Sequence, residues 1–441
     1  MSLLKKYLSN INFFYLGLIG TMLIPNISFA NRPAEQYNEY LRYENYIYDS
    51  NIHTVQLNPI GDDQAPPIMR LNSGNQLYLN FDDLSAEFKN FSYTFIHCDA
   101  YWSPSDLMKQ EYLTGFQDNY IEDYTFSLNT LVPYVHYELR FPNEDVSFSK
   151  SGNYLLVVFQ NDDPNDLVLT RRFMVFEDIV GISAKVQRGT KVEFRDTKHE
   201  IDFTVNHFGY DIIDPYRDLK IVLLQNWRWD NAISGLIPRF INGTSLEYNY
   251  EEENTFFAGN EYRFFDIKDL YNPLQRVARI NTLDSIFHVY IVTDHDRSIA
   301  RYSTYFDING DRRIRNERAE FSEIEADYAW VHFRLNYPEQ LRDGDIYLFG
   351  ELSDWRFQPD FKMKYNESQY AYTTTVLLKQ GYYNYNYVFL KDGTYHGDPQ
   401  KIEGSHFETE NDYAILVYNR ELGQRYDRLI GLSQVNSTDI Y

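Results

Sequence analysis

The sequence predicts an all-β protein built from consecutive sandwich domains, on three observations. Apolar runs of strand length recur with turn signals between them, as at residues 76–81, 154–159 and 167–176. A sustained 3.6-residue periodicity is almost absent. Tyrosine and phenylalanine, 40 and 31 of the 441 residues, bring the aromatic share to 17%, and such side chains fit a pleated, half-buried surface better than a helix. Short strands at this spacing are the pattern of immunoglobulin-like sandwiches, and the length allows about three domains of roughly 150 residues each.

Residues 1–30 read as a signal peptide: Lys5 and Lys6 open it, an apolar run follows, and Ser28-Phe29-Ala30 places small residues where a signal peptidase cuts. No later segment is apolar for eighteen or so residues, so an exported, soluble chain without a transmembrane helix is expected. Cleavage leaves no cysteine at the lipoprotein position, so no lipid anchor is indicated. Residues 31–178 form the expected N-terminal sandwich, with strands at 54–57, 76–81, 134–141, 154–159 and 167–176 separated by turns such as Asn72-Ser73-Gly74-Asn75 and Asp162-Asp163-Pro164-Asn165. Residues 179–309 form a middle sandwich with strands at 200–206, 219–225 and 287–293. Residues 310–326 alternate between arginines (Arg312, Arg313, Arg315, Arg318) and glutamates (Glu320, Glu323, Glu325) and read as a charged linker. Residues 327–430 form a C-terminal sandwich, and 431–441 a polar tail.

Charge and motifs narrow the function. The formal net charge is −23, and removing residues 1–30 takes away two lysines and no acid, so the surface repels nucleic acid and anionic lipid. The ten histidines show no HxH or HExxH spacing, and one cysteine allows neither a CxxC pair nor an intrachain disulfide. No metal and no cofactor is expected. Asp307-Ile308-Asn309-Gly310-Asp311 has the odd-position oxygens and glycine of a calcium loop, yet lacks the remaining ligands and reads as a turn. The single cysteine, in His97-Cys98-Asp99, invites a nucleophile reading. On a strand, however, His97 and Cys98 face opposite ways, so a buried structural thiol is expected and no catalytic residue is assigned.

The C-terminal region carries a more specific pattern. Ile346 to Trp355, Met363 to Tyr365, Tyr370 to Leu378, Gly381 to Phe389 and Asp392-Gly393 resemble, in order, the early-set sandwich of glycogen-binding modules. Position by position, Trp355 falls on a sugar-stacking tryptophan and Asn411 on a polar sugar contact. Asn386 stands where a lysine is expected and Tyr395 where a second tryptophan is. A glycan-binding β-sandwich protein is therefore the alternative reading, with Trp355, Asn386, Tyr395 and Asn411 as its site; the other reading of Trp355 is a ring packing its loop onto the sandwich.

Several segments taken together resemble the type IX secretion system plug protein family of Bacteroidota. They are Asn51 to Leu57, the Tyr93 to Asp99 strand with Trp102-Ser103-Pro104-Ser105-Asp106, Leu167 to Val175, Val222 to Ile233 and Tyr382 to Phe389. The resemblance implies a non-enzymatic periplasmic protein that closes the periplasmic opening of the giant outer-membrane translocon barrel when no cargo is engaged. It supplies no contact residues. Trp102, Trp227, Arg228 and Trp229 lie beside turn signals and are the expected loop-borne anchors, because tryptophan and arginine dominate interface hot spots. A tyrosine-rich contact face is also expected, since tyrosine gives contact area at low entropic cost.

Overall fold

The computed structural model describes residues 41–439. The expected signal peptide falls outside them. The described chain is predominantly β, and its helices are single turns of three or four residues. Three apolar cores hold it together, each enclosed by two sheets.

The first core lies between a sheet ordered Tyr46–Ile47, Leu167–Phe176, Gly152–Gln160, Phe91–Cys98, Asp118–Tyr120 and a sheet ordered Ile52–Pro59, Leu77–Asp83, Val135–Phe141, Asp123–Phe126. Phe91, Tyr93 and Phe95 point into it with Leu156, Val158 and Phe173, while the alternate residues Thr94, Ile96 and Cys98 are buried on the opposite face. This is the period-2 geometry that alternating strands impose.

The other two cores depart from the expected segmentation. Leu219–Gln225 pairs antiparallel with Asp412–Asn419, which pairs in turn with Arg428–Asn436. Ile221 and Leu223 therefore share a core with Ile415, Val417, Ile430 and Val435. The third core joins Phe265, Val289 and Ile291 to Val331, Leu348 and Tyr385. The sheets thus pair across residue 309, and the segment expected to be a polar tail begins inside a strand. The expected linker is also pinned: Arg312–Ile314 pairs with Gly381–Lys391, and Arg312 Nη2 donates to Val55 O at 2.9 Å. Local alternation identifies a strand but not its partner, and these partners are remote in sequence.

Tyrosine dominates the interior. Tyr93, Tyr137, Tyr154, Tyr248, Tyr383 and Tyr418 are among the largest fully buried side chains. A buried ring needs an outlet for its hydroxyl. Tyr385 and Tyr387 both donate to Asp294, at 2.6 and 2.8 Å, and Tyr418 donates to Asn153 at 2.7 Å. Much of the tyrosine content expected on a contact face therefore serves the cores.

Polar ties bind the N-terminal sheets to the rest. Lys379 Nζ lies 2.6 Å from Asp82 Oδ2, and each side chain is 1% exposed. Tyr328 OH donates to the same oxygen at 2.6 Å. Arg171 meets Asp354 at 3.1 Å, and Ala100 N donates to Asp427 Oδ2 at 2.8 Å.

Candidate functional site

Three turns converge where the N-terminal sheets meet the other two cores. In the first, Trp102 N donates to Asp99 O at 3.0 Å, and Asp99 Oδ1 accepts from Tyr101 N and Ser103 N at 3.0 and 2.9 Å. In the second, Arg228 N donates to Gln225 O at 3.1 Å across Asn226-Trp227. In the third, Arg356 N donates to Ser353 O at 3.1 Å across Asp354-Trp355. The second and third turns are alike in sequence and hydrogen bonding. Both central residues of each are left-handed, with φ of +50° and +56° at Asn226-Trp227 and +53° and +54° at Asp354-Trp355. That geometry is the type I′ turn, which prefers Asn-Gly or Asp-Gly; here tryptophan stands in the glycine position. Trp102 is left-handed too, at φ +66°. A non-glycine residue held this way costs about 1–3 kcal/mol, and such strain concentrates at functional sites.

The three tryptophans, with Trp229, line one cleft of about 600 Å³. Trp102 is 4% exposed and packs edge-on against Trp229 with ring centroids 5.0 Å apart, while the Arg172 guanidinium stacks 4.4 Å above it. Arg228 pairs with Asp230 at 2.6 Å and lies 5.0 Å over Trp355. Trp355 also rests on Gly310, where an added Cβ would come 2.2 Å from its ring. Trp102 and Arg228 are thus internal supports rather than the exposed anchors expected of them. Trp227 and Trp229 remain half-buried on the cleft wall.

Carboxyl groups crowd the same cleft. Burial pushes Asp307 up to about 7, with Glu261 and Glu410 adding to the rise. Burial and then the Glu351 carboxylate hold Asp311 well above the usual range. Asp307 accepts backbone N–H groups from Asn309 at 2.8 Å and Tyr262 at 2.5 Å, and Asp311 N donates to Ile308 O at 3.0 Å, so residues 307–311 form a turn that is also tied to Tyr262. Among the described residues, no group of three or more His, Cys, Asp or Glu side chains is placed to hold a metal ion.

The residues of the glycan reading do not form one exposed face. Asn386 and Asn411 are buried, and Asn411 Nδ2 donates to Ala258 O at 2.8 Å. Tyr395 is 92% exposed, and Trp355 is the packing ring described above. The pairing of Asn226 with Asn411 at 2.8 Å and the left-handed tryptophans escaped sequence reasoning; the Asn-Trp-Arg and Asp-Trp-Arg repeat was the only available signal.

His97 and Cys98 do not form a catalytic pair. His97 Nε2 donates to Ser151 O at 3.0 Å and its ring packs on Tyr154, whereas Cys98 Sγ approaches Ile96 O at 3.7 Å. Burial pushes the thiol far above its ordinary range. A maleimide is expected to leave Cys98 unmodified in the folded protein and to label it fully in denaturant, as mass spectrometry would read; rapid labelling of the folded form would contradict this burial.

Burial also pulls His97 and His199 down to about 4. His199 sits between Tyr413 OH at 2.7 Å and Phe407 O at 2.6 Å. The unfolded chain binds these protons near 6.5 and the folded chain only near 4. Each histidine therefore contributes stability that is complete above about 6.5 and is lost as pH falls toward about 4. Denaturation midpoints of His199→Gln are expected to fall less steeply with pH across that window than those of the parent, and equal slopes would refute the assignment.

Residues 52–177 match the family model described as type 9 secretion system plug protein 1st domain. A solved structure, a hypothetical protein from Parabacteroides merdae ATCC 43184, is 36% identical over 90% of this chain and all of its own, with a TM-score of 0.87. No curated protein matches. The chain belongs to the same family as the Parabacteroides merdae protein, and its residues 52–177 match the type 9 secretion system plug protein 1st domain.

Proposed function

We propose that the protein is a periplasmic plug that closes the periplasmic opening of the type IX secretion outer-membrane translocon barrel when no cargo is engaged. Membership of residues 52–177 in the plug family supports this reading and a non-enzymatic role. Among the described residues, no helix is long and apolar enough to cross a membrane. The observation that carries the reading is the set of buried ion pairs that tie the N-terminal sheets to the rest of the body. A stopper must resist deformation by a wide aqueous opening, and buried ties such as Lys379–Asp82 and Arg171–Asp354 fix the N-terminal sheets to the remainder.

With Trp102 and Arg228 committed internally, the barrel contact falls to an open sheet edge. Asp123–Phe126 closes its sheet as an edge strand and all four residues are exposed. Phe88 packs 4.5 Å from Tyr124, with Tyr120 and Leu128 also exposed. An edge strand offers unpaired backbone groups as well as apolar area. Tagged protein is expected to retain a very large barrel protein from solubilised outer membranes, and Tyr124→Asp/Phe126→Asp to lose it. Recovery of no barrel by the parent protein would overturn the plug reading; equal recovery by the variant would overturn the edge alone.

A further inference from the structure

The tryptophan-lined cleft has unsatisfied groups as well as strained turns. Trp102 forms part of its wall, is 4% exposed, and its indole Nε1–H has no acceptor. Asn309 lines the same cleft and its buried Oδ1 has no donor. A buried polar atom without a partner is costly, so a donor and an acceptor left unpaired within the wall of one cleft are groups a ligand can satisfy once the wall yields to admit it. A peptide segment carries both complementary groups.

Charge selects the side chain. Eight carboxyl groups, Asp307, Asp311, Glu351, Glu410 and Asp412 among them, line the cleft against two guanidinium groups. Those two are already engaged, Arg171 with Asp354 and Arg172 over Trp102. Burial holds Asp307, Asp311 and Glu410 above their ordinary values, with neighbouring carboxylates adding to the rise, whereas Glu351 already faces Arg312 at 3.6 Å. Phe306, at the rim, is 84% exposed. Aromatic faces beside carboxylates attract a cation through both the ring quadrupole and the formal charge.

We propose that this cleft takes a basic peptide segment of a partner protein, its arginine or lysine side chain entering among the carboxylates and its backbone meeting Trp102 Nε1 and Asn309 Oδ1 beside the Trp227 ring. The site is separate from the Asp123–Phe126 edge and does not depend on the plug reading. The left-handed turns give the walls a fixed geometry, because two of the tryptophans are carried on two-residue turns with no slack.

The test is calorimetric titration of the purified protein with acetyl-Gly-Gly-Arg-Gly-Gly-amide, followed in parallel by tryptophan fluorescence. The same peptide with glycine or glutamate in place of arginine, and maltotriose, are the comparisons. The arginine peptide is expected to bind about tenfold more tightly than either other peptide, and Trp227→Gly to weaken it about tenfold. Glycine suits φ +56°, so that variant should keep its fold. Phe306→Ala, at an exposed rim, is the second variant and should weaken binding, whereas Phe208→Ala, exposed but not lining the cleft, should not. Equal affinity for the three peptides, preference for maltotriose, or indifference to both Trp227→Gly and Phe306→Ala would overturn the proposal.

Discussion

Replacing Lys379 with methionine is expected to destabilise the protein by about 3–5 kcal/mol, because it leaves a buried carboxylate without its cation. Burial alone would raise the Asp82 carboxyl, but Lys379 and His136 outweigh it and hold Asp82 below the usual carboxylate range. Asp82 receives His136 Nδ1, Tyr328 OH and Lys379 Nζ, each at 2.6 Å. Lys379 in turn donates to Glu323 O at 2.6 Å and lies 4.2 Å over the Tyr134 ring. Methionine fills similar space without a charge, so the loss is electrostatic rather than steric. The double variant Asp82→Asn/Lys379→Met removes both charges and should recover much of the loss, since the cost lies in the orphaned ion. Guanidinium midpoints read by far- and near-ultraviolet circular dichroism would report both effects. A single variant that loses less than about 1 kcal/mol would mean that water reaches Asp82 and that this tie does not stiffen the body.

The strands most legible in the sequence were those whose signal is local. Leu167–Phe176 and Leu219–Gln225 coincide with apolar runs bounded by turn residues, because alternation and β propensity act within a few residues. Arg312–Ile314 was hidden because two arginines read as solvated; only the fold reveals Val55 O and Glu351 beside Arg312. Arg428–Asn436 was cut short because Ser433 and Gln434 lie half-exposed or exposed on an outer strand, where one polar face obscures the pattern. The cleft was half legible. Trp102, Trp227 and Trp229 stood out by residue type, but their convergence depends on pairings between segments more than a hundred residues apart, and left-handed backbone leaves no periodicity. Tyrosine was open to two readings, a tyrosine-rich β interior and a contact face, and the interior took much of it, because a buried acceptor such as Asp294 makes interior tyrosine acceptable.

Backbone strain at the cleft leads to an inverted order of substitutions at Trp102. Truncating a buried tryptophan to alanine is expected to cost about 3–5 kcal/mol, here through loss of the Trp229 edge contact and the Arg172 stack. Glycine ordinarily costs about 0.5–1 kcal/mol more than alanine because it frees the unfolded chain. At φ +66° the order should reverse: alanine keeps the Cβ clash of left-handed backbone, about 1–2 kcal/mol, and glycine does not. Trp102→Gly should therefore be the less destabilised of the two, although both lose the ring. Trp227 provides the comparison, because its ring is half-buried and less packing is lost. There the same reversal should leave Trp227→Gly close to the parent in stability and Trp227→Ala below it. Denaturation midpoints of the four variants decide the matter. Alanine above glycine at both positions would show that the turns hold no strain, and that tryptophan stands in the glycine position without cost. The predicted order would show that the three cores hold these rings in place against a backbone preference, which nothing in the packing of the turns themselves requires.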